Sequence, residues 1–105
     1  MVTEEDVIAK LREVYDPEVM VNVYDLGLIY KISINHLPDG DEVLIKMTLT
    51  TPTCPLGPLL VRMVEKKLNE LDVKKVRVYL TFDPPWDKSM IKWENLRKKD
   101  EGSEN

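Results

Sequence analysis

Apolar residues recur along the chain at two different intervals. Near the start, Val7, Ile8, Leu11 and Val14 are spaced as one face of a helix. Thr3 precedes them, with Asp6 three residues on as a short variant of the capping box, so a first helix is predicted from Thr3 to about Tyr15. Asp16-Pro17-Glu18 ends it, because a residue before proline avoids helical torsions, and an irregular stretch runs to Gly27. The period then drops to two. Leu28, Tyr30, Ile32 and Ile34 alternate with Lys31, Ser33 and Asn35, and Pro38-Asp39-Gly40 turns the chain. Val43, Ile45, Met47 and Leu49 then alternate with Lys46, Thr48 and Thr50, which makes an antiparallel hairpin.

After Cys54 the helical period returns as far as about Leu71, with Leu56, Leu60, Met63, Val64, Leu68 and Leu71 on one face. Val76, Val78, Leu80 and Phe82 alternate with Arg77, Tyr79 and Thr81 in a third strand, which Asp83-Pro84-Pro85-Trp86 terminates. A short helix from about Lys88 to Lys98 is expected to dock through Met90, Trp93 and Leu96, followed by a flexible polar tail over 99–105. Each strand is apolar on one side only. The expected architecture is α+β, a two-layer sandwich of order α-β-β-α-β. Its three-stranded mixed sheet has helices on one face, and a right-handed crossover brings the third strand parallel to the second.

Length and charge narrow the function classes. A chain of 105 residues supports one core, so residues 1–98 are expected to form a single domain. No apolar run is long enough to span a membrane, and the acidic start Met1-Val2-Thr3-Glu4-Glu5-Asp6 does not read as a secretory signal. A cytoplasmic location is the expectation. The net charge of −4 argues against nucleic-acid binding, and a lone cysteine builds no internal disulfide framework.

That cysteine, Cys54, sits where a strand gives way to a helix. Unpaired N–H groups and the positive end of the helix dipole favour a thiolate there; the alternative is a small apolar side chain packed behind the helix. Hairpin topology brings Asp25-Leu26-Gly27 towards the Thr50-to-Cys54 loop, and a parallel third strand brings Asp83 and Trp86 to the same end. Thr51 lies in that loop. Asp16, Glu18 and Asp25 are either metal ligands or turn formers, and Trp86 is either an anchor for a partner or a lid on the core. His36 falls at the far end of a strand about 26 Å long, as an exposed turn residue out of reach of Cys54, so no cysteine–histidine catalyst is expected.

With these residues in place, the chain resembles the SufT/PaaD family of small proteins associated with iron–sulfur cluster assembly. The resemblance runs from about Val7 to Met90. Its motifs are Asp16-Pro17-Glu18, Asn22 with Asp25-Leu26-Gly27-Leu28-Ile29-Tyr30, Met47-Thr48-Leu49-Thr50-Thr51-Pro52-Thr53-Cys54-Pro55, and Phe82-Asp83-Pro84-Pro85-Trp86. It implies a free-standing, non-enzymatic auxiliary factor in assembly, transfer or targeting, with Cys54 contacting iron or an iron–sulfur cluster transiently. Its partners would be scaffold, carrier or client proteins, or a second copy in a homodimer. Asp25, Asp83, Trp86, Thr51 and Glu18 are the residues expected to support Cys54 or meet a partner. Two other readings remain: a metal-free adaptor docking a client through the Trp86 edge, and a PaaD-type subunit of a phenylacetyl-CoA oxygenase system.

Overall fold

Thr3 opens the first helix, α1 (Glu4–Leu11), by the predicted reciprocal cap. Its hydroxyl accepts the Asp6 N–H at 3.2 Å while the Asp6 carboxylate accepts the Thr3 N–H at 3.0 Å. The same bonds hold the Asp6 carboxyl below its ordinary pKa. The computed structural model describes residues 1–53 and 55–96; Cys54 and residues 97–105, including the expected tail, lie outside them.

The helix stops at Leu11, short of the expected Tyr15. Long-range bonds win over helical continuation. Val14 sends its N–H back to Leu11 in a tight turn, its carbonyl accepts the Val23 N–H at 2.9 Å, and Tyr15 bridges Asn22. Val14 nevertheless remains in the core, on the side its spacing predicted.

Strands β1 (Ile29–Leu37) and β2 (Gly40–Met47) pair antiparallel around a tight turn, with Leu37 opposite Gly40. Helix α2 (Gly57–Leu68) then crosses over to β3 (Lys75–Leu80), which runs parallel to β2, giving the sheet order β1-β2-β3. This is the expected α-β-β-α-β sandwich with a mixed three-stranded sheet. Val43, Ile45 and Met47 of β2 meet Val7 and Leu11 of α1 and Leu60, Val64 and Leu68 of α2 in one buried cluster. Each such side chain contributes roughly 1.5–3 kcal/mol on leaving water. Lysines 10 and 67 tie the helices together at the rim, pairing with Glu70 and Glu13 at 3.0 and 3.3 Å.

The other face carries Lys31, Ser33, Leu44, Lys46 and Tyr79, of which both lysines and the tyrosine are exposed. Leu80, at the end of the edge strand β3, and Phe82, beyond that strand, were expected in the core but are 43% and 40% exposed. Tyr30 also departs from the simple alternation. Ile29 pairs with Met47 and Lys31 with Lys46, so Tyr30 is the extra residue of a β-bulge. Its hydroxyl reaches out of the sheet to the Pro84 carbonyl at 2.8 Å.

The single helix expected over Lys88 to Lys98 is interrupted. A 3-10 turn, Lys88–Met90, is capped by the Asp87 carboxylate on Ser89 N–H, Ile91 is extended, and helical structure resumes at residues 93–96. The break has a definite cause: the Lys92 N–H donates to the Asp25 carbonyl at 2.7 Å instead of to its own helix.

Candidate functional site

The start of β1 and the ends of β2 and β3 meet at one edge of the sandwich. Thr48 N–H donates to the Leu28 carbonyl at 2.8 Å, and Thr81 N–H to the Met47 carbonyl at 2.9 Å. The strand ends therefore converge as the topology predicted. The next segment turns over residues 50–53, and Thr51, Pro52, Thr53 and Pro55 are all exposed. Cys54 is bonded between two exposed neighbours. Helix α2 begins only at Gly57, with Leu56 as a cap that offers no side-chain acceptor. The Gly57 and Leu59 N–H groups lack intrahelical partners, and Pro58 has none to offer. Gly57 itself is packed flush against the loop: a Cβ there would lie 2.6 Å from the Leu49 side chain.

In the turn before β1, Asp25 is a buried hub at 2% exposure. Its carboxylate accepts from Arg12 Nη2 at 3.3 Å, Asn22 Nδ2 at 2.8 Å and Asn95 Nδ2 at 3.0 Å, and its own N–H donates to Asn22 Oδ1 at 2.8 Å. Side chains, rather than turn amides alone, thus satisfy the charge. Arg12 and Asn95 gave no sign in the sequence of this role, whereas Asp25 was legible as a turn former.

Gly27 is held at φ +83° with its α-carbon pressed on the Met90 backbone; a Cβ would sit 2.3 Å from the Met90 carbonyl oxygen. Only glycine suits this contact. Nearby, the indole N–H of Trp86 donates to the Leu26 carbonyl at 2.8 Å, and its ring packs half-buried on the core, as a lid would. Val19, Val21, Leu26, Ile91 and Trp93 join it around an apolar cavity of about 430 Å³.

Asp83 lies on the other side, exposed, after a bond from its N–H to the Thr81 hydroxyl. It borders a cavity of about 500 Å³ that also takes in Gly27, Tyr30, Lys31, Lys46, Met90 and Lys92. Asp25 and Asp83 therefore face different surroundings, one an interior hub and the other an open cavity. Glu18 sits in the turn that Asp16 organises, donating its N–H to Asp16 Oδ1 at 2.8 Å. His36 is as remote as expected but is not a plain turn residue. It lies within β1 and pairs with Asp41 Oδ1 at 2.8 Å, while Asp41 Oδ2 accepts the Val2 N–H at 2.8 Å. The Val2 bond first, and His36 second, hold the Asp41 carboxyl below its usual range.

Thr48, beside the loop, is fully buried, and its hydroxyl has no partner among the described residues. Among the same residues no three His, Cys, Asp or Glu side chains gather as a metal site, and no helix is long and apolar enough to cross a membrane.

Comparison with known proteins agrees with this fold. A family model described as iron–sulfur cluster assembly protein matches residues 4–80. An Fe–S protein maturation auxiliary factor from Porphyromonas gingivalis is 47% identical over 95 residues, covering 90% of this chain and 88% of that one. The auxiliary factor SufT from Staphylococcus aureus is 34% identical, covering 74% and 86%. Among solved structures, a conserved hypothetical protein from Thermotoga maritima is 41% identical with a TM-score of 0.77, covering 93% of each chain.

Proposed function

The chain belongs to the iron–sulfur cluster assembly protein family, and from that footing we propose that it is an auxiliary factor helping clusters reach client proteins, with Cys54 as the sulfur that meets the cargo. The supporting observation is the exposed 50–53 loop, held on one side by the Thr48–Leu28 bond and on the other by the close contact of Gly57 with Leu49. Cys54 follows this exposed segment in the sequence and precedes the uncapped α2, and an uncapped helix start favours a thiolate near it.

The cluster is cargo here rather than a resident cofactor. An iron–sulfur cluster is ordinarily held by about four protein ligands, mostly thiolates, and this chain has a single cysteine. The remaining ligands come from a carrier, a client or a second copy of this chain, so binding is shared and transient. Asp25 fastens its own turn to Arg12 and Asn95, while Thr51, Asp83 and Glu18 offer exposed residues for partner contact. No bond-making chemistry on a small substrate is assigned to the protein, and it works in the cytoplasm.

Anaerobic transfer from a loaded carrier to an apo client tests the reading. Wild-type protein should accelerate client maturation and Cys54→Ala should not, with both melting alike. Equal acceleration by the alanine variant would remove the sulfur from the mechanism. Light scattering of the loaded protein separates the ligand sources: a doubled mass points to two copies sharing the cargo.

A further inference from the structure

On the open face of the sheet, Lys31 and Lys46 stand directly opposite one another across β1 and β2. Side chains so placed have Cβ atoms about 5 Å apart, and like charges at that spacing weaken a sheet. Elsewhere on this face charge is compensated: Arg77 pairs with Glu42 at 3.4 Å, and Asn35 donates to the same carboxylate. Among the described residues neither Lys31 nor Lys46 enters an ion pair.

Both lysines border two adjoining hollows. One, of about 500 Å³, adds Lys92 and Tyr30; the other, of about 310 Å³, adds Ser33, Leu44 and Tyr79. Tyr79 pairs with Lys46 across β2 and β3, so a row of lysine, lysine and exposed tyrosine crosses the sheet. Lys92 Nζ rests over the Tyr24 ring, 4.6 Å from its centroid, and in a chain of net charge −4 this concentration of cations is local.

We propose that this face docks an acidic segment of a partner protein, whose carboxylates sit between Lys31, Lys46 and Lys92 while its apolar side chains lie on Leu44 and Tyr79. The like-charge repulsion of the free protein is relieved when the carboxylates arrive. Asp83 and Glu42 at the margins, with the overall negative charge, disfavour a continuous phosphate backbone and favour carboxylates interleaved with apolar groups. This docking surface goes beyond the role of Cys54 and does not depend on it.

The probe is a short peptide of alternating glutamate and leucine, mapped by amide NMR shifts. Shifts are expected at Lys31, Ser33, Lys46 and Tyr79, weakening as salt is raised. The double variant Lys31→Glu/Lys46→Glu should bind roughly tenfold more weakly. Lys66→Glu, on exposed α2 surface, should bind as wild type, and Cys54→Ser should keep peptide binding whatever becomes of cluster transfer. Lys31→Gln and Lys46→Gln should each raise the melting temperature, which shows that they fold. Shifts confined to other surfaces, undiminished binding by the double variant, or tighter binding of a thymidine oligonucleotide than of the peptide would each overturn the assignment.

Discussion

Asn95 Nδ2 donates to Asp25 Oδ1 at 3.0 Å, joining groups 70 positions apart and fastening the last described helical turn to the loop before β1. With Arg12 and Asn22 on the other oxygen, the bond makes one buried carboxylate the fastener for three separate segments. Removing it strands amide donors inside the fold. Asp25→Ala should cost about 3 kcal/mol in chemical denaturation, and Asp25→Asn less, since it keeps the shape and part of the bonding. A loss below about 1 kcal/mol for the alanine variant would mean that the hub is not structural.

Gly27→Ala adds both a left-handed backbone penalty and a methyl 2.3 Å from the Met90 carbonyl oxygen. The 88–92 segment must move away. A cost of about 2 kcal/mol or more is expected, accompanied by a change in Trp86 fluorescence as its bond to Leu26 is disturbed. Unchanged stability and emission would contradict the close contact.

The Thr48 hydroxyl is buried beside the loop with no described partner, an arrangement that costs free energy. Thr48→Val keeps the shape and should raise stability by about 1 kcal/mol. If client maturation falls while stability rises, the hydroxyl serves the loop. If both stay level, it is merely tolerated.

Acid should loosen the hairpin end of the molecule through Asp41. Its folded pKa is depressed by the Val2 N–H and then by His36, so its contribution is complete above the unfolded value of about 4 and is lost as pH falls through the folded value. Denaturation midpoints measured from neutral pH downward should fall more steeply below about pH 4 in wild type than in Asp41→Asn. Parallel curves would detach the Val2–Asp41 bond from stability.

Much of the architecture was legible from local periodicity. The shift of interval at Gly27 falls just before β1, the return of the helical period falls just before α2, and Thr3 with Asp6 forms the cap its spacing announced. Hairpin and crossover rules were enough to bring the Leu28, Met47 and Thr81 ends together. The placement of His36 far from the loop followed from the same reasoning, but its partner Asp41 did not, because that pairing depends on β1–β2 register.

What the chain determined alone is element order, the apolar faces and the edge at which the strand ends meet, since these depend on spacing and on short connections. Tertiary structure alone decided that Tyr30 is bulged out, that Asp25 is fastened by Arg12 and Asn95, that Gly27 lies under Met90, and that Lys31 faces Lys46. Each of these joins residues distant in sequence. Their proximity is set by strand register and close packing, and neither is encoded in any window of neighbouring side chains.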